Sequence, residues 1–349
     1  MPVSAAFDFF IQMHVTERCN LSCRHCYQTG DYVNEMAFPE IREAVTELSD
    51  TLRDWRESYG MRFSPSFNLT GGEPFLRADL DAILSCIKDQ GFAVYLLTNG
   101  ILADEKRSRS LSALGVKGVQ VSIEGPEEIH DSIRGKGSFA GSLRGVRNLL
   151  EAGLTVTINV TLSSLNAACL DDIIELAQNW KVHRLGFSRL VPSGRGEGLL
   201  QEMLGTEDVR ALYRRVFALD TGTLDIVTGD PVATQSRHGD GDDQGDIPIG
   251  GCAAGVSGLT ILPDGTMVPC RRLHIPLGNI RSDSFREVWA TSGILDALRS
   301  RSRYRGKCGV CRRWAQCRGC RAIAYAFSQA TGEGDFLSAD PQCFIETER

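Results

Sequence analysis

A chain of 349 residues, 42% hydrophobic and 23% charged, has the make-up of a globular protein with room for one large domain and a smaller one. Its net charge of −6 excludes a general attraction to nucleic acid or anionic membrane, and no apolar run reaches the roughly 18–20 residues of a bilayer span. The N-terminus lacks the basic start of a signal peptide, so the expected location is the cytoplasm, where thiols stay reduced and the twelve cysteines point to metal rather than disulfides.

In chain order, residues 9–15 alternate as a strand with Phe9, Ile11, Met13 and Val15 on one face. Ile41, Val45, Leu48, Leu52 and Trp55 then recur at helical spacing, and Gly60 ends the run. Strand and helix patterns follow in pairs: 66–70 with 79–91, 92–98 with 107–115, 118–123 with 138–153, 155–162 with 170–180, and 184–190 with 207–219. These six βα units, residues 1–220, predict an α/β fold: a parallel sheet under helices, curled by right-handed crossovers into a partial (β/α)6 TIM-like barrel. Residues 221–250, rich in Gly and Asp and without periodicity, read as a linker or flap. In 251–349 the alternation stops. A hairpin turning at Pro263-Asp264-Gly265 and one helix over 284–298 precede a dense run of cysteines, a small α+β cysteine-rich domain. Cys86 and Cys169 stand alone in helical patterns and read as small buried hydrophobes.

Cys19, Cys23 and Cys26 follow the first strand directly, which places them on the barrel mouth, where such folds keep their active groups. Three thiolates hold a cubane iron–sulfur cluster with one iron left open, whereas electron-transfer clusters use four. A zinc ion completed by His14 or His25 fits the same spacing.

The surrounding residues separate these readings. "TERCNLSCRHCYQ" after the first strand, "TGGEP" at 70–74 after the second and "SIEG" at 122–125 after the fourth resemble, in order and location, the radical S-adenosylmethionine (SAM) enzymes over the first 220 or so residues. The resemblance implies that Cys19, Cys23 and Cys26 hold a 4Fe–4S cluster whose fourth iron is ligated by SAM. It also implies that Gly71, Gly72 and Glu73 meet the SAM amino group, and that Ser122 and Arg134 contact its ribose or carboxylate. Asn99 and Glu124 are expected to line the mouth. His25 stands where the family usually has an aromatic residue. The implied chemistry is one-electron cleavage of SAM to a 5′-deoxyadenosyl radical that abstracts hydrogen from a substrate, with the electron coming from a flavodoxin- or ferredoxin-like donor.

The distal cysteines, Cys252, Cys270, Cys308, Cys311, Cys317, Cys320 and Cys343, have paired spacings that also suit structural zinc. Their order, with Gly265 ahead of Cys270, resembles the SPASM extension, although the last spacing is two where three is usual. That resemblance implies two auxiliary 4Fe–4S clusters, three in all with the SAM cluster. Cys308, Cys311, Cys317 and Cys343 would hold the distal one, and Cys252, Cys270 and Cys320 the one nearer the barrel. The basic tract from Arg299 to Arg321 reads as a solvated face or as a docking site for an acidic donor or peptide.

Enzymes with this extension mature ribosomally made peptides or sulfatases, or trim tetrapyrrole side chains. Arg271 stands where sulfatase maturases carry an acid, and Tyr27-Gln28 where haem-trimming relatives carry Arg-Ala. The expected substrate is a peptide or protein receiving a crosslink, a thioether or an inverted centre. With the first strand starting near Phe9, a peptide is expected to be recognised through a separate leader-binding partner or directly by the barrel and extension. The alternatives are a tetrapyrrole side-chain decarboxylase and a non-catalytic iron–sulfur or zinc protein.

Overall fold

The computed structural model describes residues 6–30, 34–219, 221–237, 246–248 and 250–346. The barrel units run β1 (Phe7–Thr16), α1 (Phe38–Tyr59), β2 (Phe63–Gly71), α2 (Leu80–Asp89), β3 (Ala93–Thr98), α3 (Glu105–Leu114), β4 (Gly118–Ser122), α4 (Glu127–Arg134), α5 (Ser138–Glu151), β5 (Val156–Leu162), α6 (Leu170–Asn179), β6 (Arg184–Arg189) and α7 (Thr206–Ala218). Then come β7 (Asp225–Val227), α8 (Thr234–Arg237), β8 (Gly258–Ile261), β9 (Thr266–Val268), β10 (Gly278–Asn279), α9 (Phe285–Thr291), α10 (Gly293–Arg299), α11 (Gly306–Val310) and α12 (Arg321–Ala330).

The expected partial barrel is present. Strands β1 to β7 lie side by side in chain order, each parallel to the next, in a sheet that stays open. Phe9, Ile11, Met13 and Val15 of β1 are buried under the helices, as their alternation requires. On α1, Ile41, Val45, Leu48 and Leu52 face the same core, and Gly60 closes the helix with a φ of 65° that a side chain would strain. Cys86 and Cys169 are half-buried and pack against this core.

Two expectations are corrected. Residues 221–237, assigned to a linker, hold the seventh parallel strand and a short helix; β7 spans three residues, too few to show a period. Residues 238–245 and 249, which carry most of the Gly/Asp-rich flap, lie outside the described residues. The helix expected over 284–298 is two helices, because Ser292 leaves the helical path and its hydroxyl caps the second through Leu295 N.

The cysteine-rich segment continues the barrel's sheet. The hairpin turns at Pro263-Asp264-Gly265 as expected, with Gly265 at φ 88°, and pairs β8 with β9. Strand β8 also runs parallel to β1, Phe10 opposite Gly258 and Gln12 opposite Thr260, so β1 is interior on both sides. Phe285 and Trp289 of α9 interlock with Phe9 and Trp55, with ring centroids 5.2–6.3 Å apart. Burial of such rings is worth about 2 kcal/mol each. Among the described residues no helix is long and apolar enough to cross a membrane.

Candidate functional site

The C-terminal ends of β1 to β6 open into two adjoining cavities. One is lined by Cys19, Cys23 and Cys26, with Gly71, Gly72, Asn99, Ser122 and Arg134; the other, about 380 Å³, is lined by Cys252, Cys270 and Cys320. They share Leu97, Gln120, Asn159, Ser188, Arg271 and Arg272.

The cysteine loop is held by backbone contacts that demand glycine. Gly71 pairs with Thr16 at the end of the β1–β2 ladder, Gly72 N donates to Thr16 O (2.8 Å) and Glu73 N to Arg18 O (2.8 Å). A Cβ on Gly71 would lie 2.2 Å from Thr16 O, and one on Gly72 2.2 Å from Arg18 O. The close approach that these glycines permit is thus made to the chain's own cysteine loop. Glu73 does not line the cavity. It is fully buried and accepts bonds from Thr98 Oγ1 (2.8 Å), Asn99 N (2.9 Å) and Phe75 N (3.1 Å), while burial pushes its carboxyl up. It fixes the end of β3, from which Asn99 Nδ2 reaches Asn20 Oδ1 (2.8 Å) and Cys19 Sγ (3.9 Å).

Each of the three thiols faces a hydrogen-bond donor. Cys19 Sγ also accepts from Leu21 N (3.4 Å), Cys23 Sγ lies 3.7 Å from Arg134 Nη1, and the Arg195 guanidinium faces Cys26. Burial raises the Cys19 and Cys23 thiols, so proton loss there needs a compensating charge. Donors converging on sulfur suit thiolates that ligate a cluster and tune its potential. Arg195 was not among the residues read from sequence. It rides on a loop whose Gly194, at φ 56°, and Gly196 press against Tyr27 and His25, the latter loop bond being Gly196 N to Cys26 O at 3.0 Å.

Glu124 also turns away from the cavity, into a fully buried hub. Arg134 donates to its Oε1 through Nε (2.8 Å) and Nη2 (2.5 Å), His25 Nε2 lies 3.1 Å from the same oxygen, and Thr161 N donates to Oε2 (2.8 Å). Burial alone would raise this carboxyl; Arg134 and His25 hold it far below the usual range. His14, one candidate zinc ligand, is buried beneath Tyr27 with neither ring nitrogen hydrogen-bonded, and burial with Arg271 nearby lowers it to about 3. It stays neutral at physiological pH.

Of the distal seven, Cys308, Cys311, Cys317 and Cys343 border one small cavity, and Cys252, Cys270 and Cys320 line the lumen. In the distal group Cys317 Sγ accepts from Gln235 Nε2 (3.2 Å) and Gly319 N (3.4 Å), and Arg321 Nη2 reaches Cys308 Sγ (3.5 Å). In the lumen group burial pushes Cys320 up to about 12 against the pull of Arg272. Among the described residues no three Cys, His, Asp or Glu side chains are close-set enough for a single metal ion. The thiols border cavities instead.

The model for the radical SAM superfamily matches residues 13–177, and that for an iron–sulfur cluster-binding domain, SPASM, matches residues 252–321. An AdoMet-dependent heme synthase of Methanosarcina barkeri is 30% identical, covering 95% of both chains. Mycofactocin maturase MftC of Mycolicibacterium smegmatis is also 30% identical, over 94% of this chain and 81% of its own. Among solved structures, anSMEcpe with bound AdoMet and Cp18Cys peptide shares the fold at a TM-score of 0.72 and 19% identity, over 97% of this chain and 94% of that one.

Proposed function

The chain belongs to the radical SAM superfamily, with the SPASM iron–sulfur extension, and on that premise we propose that it modifies a ribosomally made peptide or protein held in the barrel lumen. A 4Fe–4S cluster and SAM bound at the mouth would supply radical chemistry, the abstraction of a hydrogen atom from the substrate. The chain's own residues place the partners. Cys19, Cys23 and Cys26 hold the cluster, Arg134 and Ser122 border the space for SAM, and Glu73 and Glu124 keep Asn99 and Arg134 in position from behind. Two further clusters would sit on the lumen and distal cysteines, taking electrons from a flavodoxin- or ferredoxin-like donor in the cytoplasm.

The observation that carries the peptide reading is a row of amides. Gln12, Asn68, Gln120 and Asn159 come from four strands and line the lumen; Thr260, Gln12 and Asn68 are direct neighbours across β8, β1 and β2. Among the described residues none of these four side-chain amides is spent on a protein hydrogen bond. Neutral groups that both donate and accept suit the N–H and C=O of a peptide main chain. A neighbour's bound peptide in the same fold supports this reading.

A second reading, trimming of tetrapyrrole carboxylate side chains, is favoured by the full-length likeness to heme synthases. The test is anaerobic incubation of reconstituted enzyme, SAM and reductant with the short peptides encoded beside its gene, and separately with a siroheme-derived tetrapyrrole. A SAM-dependent mass change in a peptide is expected. Loss of carbon dioxide from the tetrapyrrole with every peptide unchanged would establish the second reading instead.

A further inference from the structure

We propose that Arg271 anchors a carboxylate of the substrate where the two cavities meet, with Arg272 adding positive potential behind it. The two residues leave Cys270 on a tight turn closed by Leu273 N to Cys270 O (2.9 Å), and both reach the waist shared by the cavities. The Arg271 guanidinium lies 5.6 Å from the centre of the Tyr27 ring, and Tyr27 is backed by His14 at 5.9 Å. His274 bonds to Arg271 O at 2.6 Å and fixes the turn. The fork is therefore held on an aromatic platform.

What this fork lacks is an acid. Elsewhere Arg134 is neutralised by Glu124 and Arg189 by Asp230 and Asp340, while the buried Arg318 and Arg321 spend their donors on main-chain carbonyls. Neither Arg271 nor Arg272 pairs with a carboxylate among the described residues. Asp230, the acid whose field reaches Arg272, is already bonded by Arg189 and Tyr213. The two arginines also divide their work. Arg272 faces the Cys270 and Cys320 thiols, gives Nη1 to Arg189 O (3.1 Å) and leaves Nε buried without a partner. Arg271 faces Tyr27 and His14, so thiolate charge does not account for it. A planar guanidinium with open donors, lining a cavity that has no internal counter-charge at this point, is completed by a bidentate carboxylate. A substrate held there is gripped between the SAM side and the lumen cysteines.

The inference rests on the peptide reading for the carrier of the carboxylate, an acidic side chain or a C-terminus; the other sources of the same group are a tetrapyrrole side chain, as in the second reading, and SAM itself. The test uses cluster-reconstituted protein with SAM bound, and follows the carboxyl signal of ¹³C-labelled N-acetylglutamate α-amide and of N-acetylalanine by NMR line broadening. The uncharged N-acetylglutamine α-amide and N-acetylalanine amide serve as controls. At least one charged probe is expected to bind and the controls not to. Arg271→Gln is expected to weaken that binding by about tenfold or more. Arg271→Lys, which keeps the charge, should recover part of it, and SAM affinity and iron content should match the wild type in both variants. Undiminished probe binding in Arg271→Gln would overturn the proposal, and so would a parallel loss of SAM affinity, which would give the fork to the cofactor. Because the readout is binding, a wild type that holds a probe yet leaves every peptide unmodified would remove the peptide reading and keep the anion site.

Discussion

Glu124 shows how a residue outside the cavity sets the chemistry inside it. Its Oε1 takes two bonds from Arg134 and faces His25, next to Cys26, while Arg134 also touches Cys23. Glu124→Gln keeps the shape and removes the charge, leaving the Arg134 guanidinium buried beside a thiolate loop with no full counter-charge. A loss of about 3–5 kcal/mol is expected, read as a lower chemical-denaturation midpoint, together with weaker SAM binding in equilibrium dialysis. SAM binding unchanged by the substitution would show that Arg134 does not serve the cofactor. The sequence made Glu124 visible through "SIEG" but implied a lining role. Its partners at 25, 134 and 161 belong to other elements, and no spacing rule links them. Arg195 was hidden for the same reason, since it meets Cys26 only once β6 lies across the barrel from β1.

At the scale of elements, the segment after α7 does more than connect. Strand β7 extends the sheet, Asp230 just beyond it grips Arg189 at the end of β6 (2.5 and 2.9 Å), and Gln235 of α8 reaches Cys317. On its other side Arg189 binds Asp340 (3.0 and 2.8 Å) and Gln342 (2.8 Å), and Asp340 accepts from Cys320 N (2.8 Å). One buried guanidinium thereby ties a barrel strand, the β7 segment and the tail bearing Cys343. Arg189→Met is expected to cost about 3–5 kcal/mol, because two carboxylates lose their partner in the interior. The same variant should incorporate less iron into the extension while Cys19, Cys23 and Cys26 still load theirs, as seen by Mössbauer or EPR quantification. Equal loss at all three sites would mean that Arg189 supports the fold in general. None of this was legible from composition. A three-residue strand carries no period, and what places this segment is pairing with β6, the Asp230 bonds to Arg189 and Tyr213, and Gln235 meeting Cys317. The longer βα units were legible because each buries its own apolar face locally.

For the molecule as a whole, the continuous sheet makes barrel and extension one body, and the cysteines are strung along it from mouth to lumen wall to distal cavity. Cys252 N donates to Cys317 O (3.0 Å), so the lumen and distal groups share backbone as well as proximity. A parallel strand such as β8 can join β1 only after the whole barrel has been traversed, which is why the sequence marked a separate domain where the fold has a shared edge. Ten cysteines border its cavities, three at the mouth, three on the lumen and four at the distal cavity, and the last two groups interleave in sequence, so the fold rather than local spacing brings each together. Three cubanes predict about twelve irons per chain after anaerobic reconstitution, about four for each. A Cys19/Cys23/Cys26→Ala variant should keep about eight and make no 5′-deoxyadenosine under reductant. If the wild type instead held about four irons with zinc on the extension, the auxiliary clusters would be refuted and the extension would become a zinc-stapled wall of the substrate cavity. In that case Cys320, pushed up to about 12 by burial, would be ionised by zinc rather than by iron, and the electron route would end at the mouth.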